Sequence, residues 1–213
     1  MPFDAVAPRV ASHLEALVPP RPRELQAMED QAEKSGFPII GPVAGQLCYL
    51  MARLLGARTV FELGSGFGYS TAWFARAVQE NGGGVVHHSV WDPQLSEQAR
   101  AHLGALELGH LIEYHVGEAV EALCSTAGPF DLIFNDIDKT GYPAALPAIR
   151  QKLRHGGLLI ADNLLWQGRI FDPDDRSGDT EGIREFTRQI AGDTDWTASV
   201  LPIRDGLLVA RLR

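Results

Sequence analysis

The sequence predicts an α/β domain built on a mostly parallel sheet with helices on both faces, and three observations carry that prediction. Short apolar runs alternate with helix-length stretches from residue 59 onward, the pattern of a sheet wound by strand–helix–strand units. The first run passes through Gly64-Ser65-Gly66-Phe67-Gly68 straight into a helical pattern. Two later runs end in oxygen-bearing side chains, one at Asp136 and one at Asp162-Asn163. Continuous apolar runs mark strands buried on both faces, and in open α/β sheets ligands sit at their carboxyl ends.

The 213 residues, 45% of them hydrophobic, suffice for one compact domain with an ample core. Residues 1–42 read as a helical extension and residues 43–213 as the core. Nineteen basic against twenty-seven acidic residues give a formal charge of −8. That balance disfavours a broad nucleic-acid or anionic-membrane surface, although a local basic patch is compatible with it. Cys48 and Cys124 stand in no metal-ligand spacing and read as buried or idle thiols of a reducing compartment. No apolar run is long enough to span a bilayer, and the first residues lack a signal-peptide layout, so a cytoplasmic location is expected.

In chain order, residues 4–17 and 22–35 read as two helices split by Pro19-Pro20-Arg21-Pro22. Neither is strongly amphipathic throughout, which points to another subunit or a substrate as their partner. Phe37-Pro38-Ile39-Ile40-Gly41-Pro42 reads as an extended connector. From Gly45, the residues Leu47, Leu50, Met51, Leu54 and Leu55 keep helical spacing up to Gly56. Strands are expected at residues 59–63, 85–90, 112–116, from 130, from 158, 197–201 and 207–212. Between them fall helices with Trp73, Phe74, Ala77 and Val78 on one face, then at 95–106, 119–123 and 144–153, and one carrying Ile183, Phe186 and Ile190. Residues 167–179 read as a solvated loop rich in glycine and aspartate, and Arg204-Asp205-Gly206 as a hairpin-like turn.

The glycine turn and the acidic strand ends carry the chemistry. Glycines let backbone approach a ligand, and a following helix N-terminus favours negative charge. Gly64, Gly66 and Gly68 alternate, unlike the G-x-G-x-x-G of dinucleotide sites, and Glu62 ahead of them suits a cationic amine better than a pyrophosphate. This disfavours a nicotinamide dehydrogenase. Neighbouring strands ending at Asp136 and at Asp162-Asn163 would gather three oxygen ligands suited to a hard divalent cation, beside Lys139. Two other groups are set aside. His87 and His88 are adjacent on a strand and point to opposite faces. Asp172, Asp174 and Asp175 lack the glycine register of a calcium loop, with Ile183 where its bidentate glutamate belongs.

Three segments, Glu62-Leu63-Gly64-Ser65-Gly66-Phe67-Gly68-Tyr69-Ser70, Asp136-Ile137-Asp138-Lys139 and Asp162-Asn163-Leu164-Leu165-Trp166, resemble the metal-dependent class I O-methyltransferases. Catechol and caffeoyl-CoA O-methyltransferases belong to that family. The resemblance runs from about Gly45 to the C-terminus and implies a Rossmann-like fold, a mostly parallel seven-stranded sheet with an antiparallel last strand. It implies that Ile40, Glu62, Gly64, Ser65, Gly68, Ser70, Ala119, Asp136 and Asp138 hold S-adenosylmethionine (SAM), whose product is S-adenosylhomocysteine (SAH). Family chains carry a ribose-binding acid at the place of Val90, and Asp92 is the nearest substitute. Asp136, Asp162 and Asn163 match the metal ligands, Lys139 the general base, and Trp166 and Gln167 the substrate wall. The implied ion is magnesium first, with calcium or manganese as alternatives, and the implied assembly a homodimer. The expected acceptor is a small vicinal dihydroxy aromatic, bound bidentately to the metal. Methylation of a hydroxylated tRNA base is the family's other option, which the acidic charge argues against and a basic rim beside the site would favour.

Overall fold

The computed structural model describes residues 3–213, with side chains from Arg9 onward, so the first two residues of the extension lie outside the described residues. Seven strands form one sheet: β1 (Thr59–Leu63), β2 (Val85–Val90), β3 (Ile112–Val116), β4 (Phe130–Asn135), β5 (Leu153–Ala161), β6 (Trp196–Leu201) and β7 (Leu207–Leu212). Their order across the sheet is β3-β2-β1-β4-β5-β7-β6. The contacts β3–β2, β2–β1, β1–β4 and β4–β5 are parallel, while β7 runs antiparallel to both β5 and β6. Sheet growth reverses direction between β3 and β4, so the ends of β1 and β4 flank a switch point where a crevice opens.

Among the described residues, eight α-helices accompany the strands: α1 (Phe3–Leu17), α2 (Arg23–Ser35), α3 (Gly41–Leu55), α4 (Tyr69–Glu80), α5 (Pro93–Ala105), α6 (Ala119–Ser125), α7 (Tyr142–Lys152) and α8 (Gly178–Gly192). The two-residue period of β4 divides the core between the faces. Leu132 and Phe134 join Trp73, Phe74 and Leu103 in the cluster under α2 to α5, and Ile133 joins Tyr142, Phe186 and Ile183 under α6 to α8. The fold expected from the resemblance is the one observed.

Several local expectations are corrected. Pro42 does not prolong the connector: it sits in the first turn of α3, where a missing N–H leaves no helix bond unmade. Helix α2 has an intramolecular partner, because Leu25, Met28 and Ala32 are buried in the core facing α4 and α5. Strand β5 begins at Leu153, which pairs with Phe130 ahead of a register shift. Residues Trp166–Phe171 form 3-10 turns broken by a kink at Gln167 and Gly168 rather than open loop. The acidic loop is also less solvated than its composition implies. Arg184 donates to the carbonyls of Ile170, Asp172 and Asp175, and the Asp175 carboxylate accepts from Arg169, Thr180 and the Ser177 amide. Cys48 is buried, whereas Cys124 is exposed. Among the described residues no helix is long and apolar enough to cross a membrane.

Helices α3 and α4 touch where Gly45 faces Trp73: a Cβ on Gly45 would lie 2.3 Å from the indole Nε1. Trp73 is fully enclosed and cannot swing aside. Overpacking of this kind costs about 1–3 kcal/mol, against roughly 1 kcal/mol of helix propensity that alanine gains over glycine. Gly45→Ala is therefore expected to destabilise the protein, seen as a lower urea midpoint at unchanged slope.

Candidate active site

A cleft of about 970 Å³ opens at the carboxyl ends of β1, β4 and β5. Ile40, Gly64, Ser65, Ser70, Asp92, Ala119, Asp136, Asp138, Lys139, Asp162, Asn163, Trp166 and Gln167 all line it, so most of the residues singled out in the sequence meet in one place. Glu62 and Gly68 do not line it. Gly68, at φ 91°, caps α4 and packs against Ala99 behind the cleft wall.

The glycine turn works by close approach. Gly64 has φ 84°, and a Cβ there would fall 2.4 Å from the carbonyl oxygen of Asp136. Any side chain at Gly64 would push apart the ends of β1 and β4, which the Asp136 amide joins by donating to Leu63 O at 2.8 Å. The turn is tied to β2 as well. The Ser65 amide donates to Ser89 O at 2.8 Å, and the Ser89 hydroxyl to Glu62 O at 2.6 Å.

Glu62 stands one layer behind the wall and is 0% exposed. Burial pushes its carboxyl up to about 7. The hydroxyls of Ser70, Thr71 and Ser65 stand near enough to bring it part of the way back, yet neither carboxylate oxygen has a hydrogen-bond partner. A buried carboxylate without partners is costly. It calls for a cation or a strong donor beyond the serines.

The acidic strand ends meet as expected. Lys139 lies in a short 3-10 turn, and its buried Nζ donates to Asp136 Oδ1 at 2.5 Å, to Tyr142 Oη at 3.1 Å and to Ile137 O at 3.2 Å. Helix α8 crosses directly beneath: a Cβ on Gly182 would meet Lys139 O at 2.3 Å. Tyr142 binds the strand ends together, its hydroxyl lying 3.0 Å from the carbonyl oxygens of both Asn135 and Asp162. Burial pushes the Asp136 carboxyl up to about 6, with Lys139 pulling it down and Asp162 raising it further. Burial likewise raises Asp162, opposed first by Arg204, whose Nη1 lies 3.2 Å from Asp162 Oδ2. Asp162 Oδ1 is buried and has no partner.

Asn163 adopts φ 64°, a left-handed conformation that asparagine tolerates better than most residues. Its Nδ2 donates to Asp205 Oδ2 at 3.2 Å, which leaves the amide oxygen free to act as a ligand. An unpartnered carboxylate oxygen, a second raised carboxyl and a free amide oxygen form a donor set that fits a hard divalent cation. Trp166 and Gln167 also have positive φ, and the Gln167 amide donates to Asp205 Oδ1 at 2.5 Å. Asp92 accepts from the Gln94 amide as the N-cap of α5, so one of its oxygens is already engaged.

Three contributors went unseen in the sequence. Arg204 and Asp205 read only as turn residues there, because no local pattern shows that the β6–β7 turn will land on Asp162 and Asn163. Tyr142 carried no signal beyond an aromatic residue ahead of a helix.

These features define an α/β enzyme whose reactive groups gather at the switch point of a doubly wound sheet. Comparison with known proteins narrows the class. The family model described as O-methyltransferase matches residues 23–213, and the chain belongs to that family. It is similar to the catechol O-methyltransferase of Niastella koreensis, at 31% identity over 183 residues, covering 83% of this chain and 82% of that protein. Among solved structures it resembles the O-methyltransferase TomG from Streptomyces achromogenes, involved in tomaymycin synthesis and in complex with SAM. The TM-score is 0.86 at 28% identity, with 96% of each chain covered. An O-methyltransferase from Bacillus cereus in complex with SAH superposes with a TM-score of 0.87 at 26% identity, over 96% of this chain and 97% of that one.

The Glu62 environment has a consequence for stability. Its carboxyl is raised from 4.5 to about 7, so the folded state binds its proton more tightly than the unfolded chain does. Stability from this group is complete below about pH 4.5 and is lost as pH rises through about 7. Glu62→Gln, which stays neutral, is expected to flatten that part of the thermal midpoint–pH curve of the ligand-free protein. An unchanged slope between wild type and variant would show that Glu62 ionises freely.

Proposed function

We propose that the protein is a SAM-dependent, divalent-metal-dependent O-methyltransferase acting on a small vicinal dihydroxy aromatic. The observation that carries this reading is the convergence of Asp136, Asp162 and Asn163, with oxygen atoms left free, beside a buried Lys139 at the end of the glycine turn. Support for SAM comes from the turn itself, from unpartnered Glu62 and from the SAM- and SAH-bound neighbours. The Niastella relative supports a catechol-like acceptor.

In this reading Asp136, Asp162 and Asn163 hold the cation, which, when bound, acidifies and orients a hydroxyl brought to it. SAM supplies a methyl already activated on sulfonium. Gly64, Ser65 and Ser70 form the wall against its amino-acid end, backed by Glu62, while Ile40, Ala119, Asp138 and Asp92 complete the cradle. A phenol with a pKa near 10, as in tyrosine, is little ionised at neutral pH, so the chain must also move a proton. Lys139 takes it when its amine is neutral, and Asp136 Oδ1, 2.5 Å away, steadies the resulting ammonium. Tyr142 Oη, 3.1 Å from Nζ, keeps the amine in place. Trp166 and Gln167 border the acceptor. Holding the reactants in line can remove about 7–11 kcal/mol of the barrier in favourable cases.

The tRNA alternative finds no excess of basic side chains among the residues lining the cleft. The charged side chains lining the cleft are Asp92, Asp136, Asp138, Asp162, Asp179 and Asp205 against Lys139 and Arg204. An acidic mouth repels a phosphate backbone. Membership in the O-methyltransferase family sets the dehydrogenase reading aside.

The metal and the base are tested together. Asp162→Ala is expected to weaken metal affinity and to be partly rescued by high magnesium or manganese. Lys139→Ala is expected to leave metal and cofactor binding nearly intact while turnover falls about a hundredfold or more, the usual range for a positioned acid–base group. That defect should shrink with a more acidic, nitro-substituted catechol. Full turnover of the wild type in excess EDTA would overturn the metal-dependent reading.

We also propose a homodimer. Val10 and Leu17 on α1 and Leu50 and Leu54 on α3 stay exposed, apolar surface that a second copy would cover. Light scattering at micromolar concentration should give twice the chain mass, and Leu17→Glu with Leu54→Glu should halve it. A monomeric wild type would remove the idea.

A further inference from the structure

We propose a second, nitrogen-rich cation site, separate from the cleft, formed by His87, Glu113 and His115 on the face of the sheet that carries α6. The site suits zinc or a similar transition ion. The register of the parallel β2–β3 pair places His87 opposite Glu113 and Ser89 opposite His115. Residues two apart on a strand share a face, so all three side chains point the same way. The adjacency of His87 and His88 concealed this: His88 lies on the other face, against Thr71, and the true partner of His87 sits 28 positions away on the next strand.

The distances suit an ion. His87 Nδ1 lies 3.1 Å from His115 Nε2 and 3.3 Å from Glu113 Oε2. Ligands bound to zinc at about 2.0–2.2 Å stand roughly 3.0–3.4 Å apart when adjacent. One ligand atom from each residue falls within a 4.8 Å span. Two imidazoles and one carboxylate with a fourth position open to water form a familiar zinc donor set, softer than the oxygens of the cleft.

The surroundings favour the ligating form. The side chain of His87 is 6% exposed, and its ring stacks on Phe61 at 5.5 Å and meets Phe130 edge-on at 5.3 Å, which fixes its direction. Burial lowers the proton affinity of both His87 and His115 against the opposing pull of Glu113, a direction that favours the neutral ring nitrogens a metal needs. Glu113 is 63% exposed and gives the ion a path from solvent. None of the three lines the cleft. An ion here would tie β3, the edge strand, to β2.

The test uses the full chain, stripped of metal and then held in excess magnesium so that the oxygen-lined cleft is occupied by a hard ion. Zinc is added, unbound ion is removed by gel filtration, and the metal retained is measured. About one zinc per chain is expected for the wild type. His115→Gln and the exposed Glu113→Gln should each weaken retention at least tenfold, with far-UV spectra confirming that both variants fold. Cobalt in place of zinc should give visible absorption bands that both variants lose. Zinc should also raise the thermal midpoint of the wild type but not of His115→Gln. Retention of no zinc by the wild type, or equal retention by both variants, overturns the site and leaves three hydrogen-bonded side chains. Loss of zinc in Asp162→Ala, with His115→Gln unaffected, would place the ion in the cleft and equally overturn it.

Discussion

Two carboxylates set side by side at the ends of adjacent strands, largely withdrawn from water, constrain everything built around them. Burial raises the proton affinity of both Asp136 and Asp162, Asp162 raises that of Asp136 further, and neither is fully matched by the chain's own cations. Lys139 serves one oxygen of Asp136, and Arg204 one oxygen of Asp162. A buried charge is tolerated when it is paired and hydrogen-bonded, and costly otherwise. The remainder, a free oxygen on Asp162, is a deficit that a cation from outside can fill. The scaffold holds this arrangement in place through Tyr142, which joins the ends of β4 and β5 from below. It does so through Gly182 as well, which lets α8 press against the Lys139 backbone.

Glu62 repeats the pattern one strand over. A third carboxylate, sealed behind Ser65 and Ser70, is raised by burial and has no hydrogen-bond partner. Carboxyl groups short of partners thus gather at the ends of three neighbouring strands, β1, β4 and β5, in the cleft and just behind its wall. Ligands that bring positive charge would relieve them, and binding only the folded state they would stabilise the protein as well. Function and stability are coupled here because the same unpaired groups that await a ligand lower the stability of the chain without one.

What was legible in the sequence follows the range of the interaction. Strands β1 to β4 and the glycine turn depend on local pattern and were read to within a residue or two, as was the helix start at Tyr69. The Asp136, Asp162 and Asn163 cluster was legible because each residue ends an apolar run, and parallel neighbours place their ends together. Elements settled by long-range contact were not. Helix α2 looked unpartnered because its buried set, Leu25, Met28 and Ala32, is short and flanked by charge. Pro42 looked like a breaker because its place in the first turn of a helix is visible only once that helix is there. The acidic loop looked solvated because Arg184, which gathers its carbonyls, lies nine residues beyond Asp175.

Arg204 shows why topology, rather than pattern, decides the last parts of the site. A parallel strand beyond β5 would have begun at the far edge of the sheet, carrying its leading turn away from the cleft. Because β7 runs antiparallel, its first residues lie beside the last residues of β5, with Leu208 opposite Ala161. The β6–β7 turn is therefore delivered to the same edge as Asp162. There Asp205 O and Gly206 O accept from the amides of Leu165 and Leu164 at 2.8 and 2.9 Å, locking the turn onto the segment that carries Asn163. With the backbone fixed in this way, Arg204 reaches Asp162 and the Asp205 carboxylate takes the Asn163 amide group, turning its oxygen loose for a ligand. Reversal of one strand thus converts an ordinary hairpin turn into the support of the donor set.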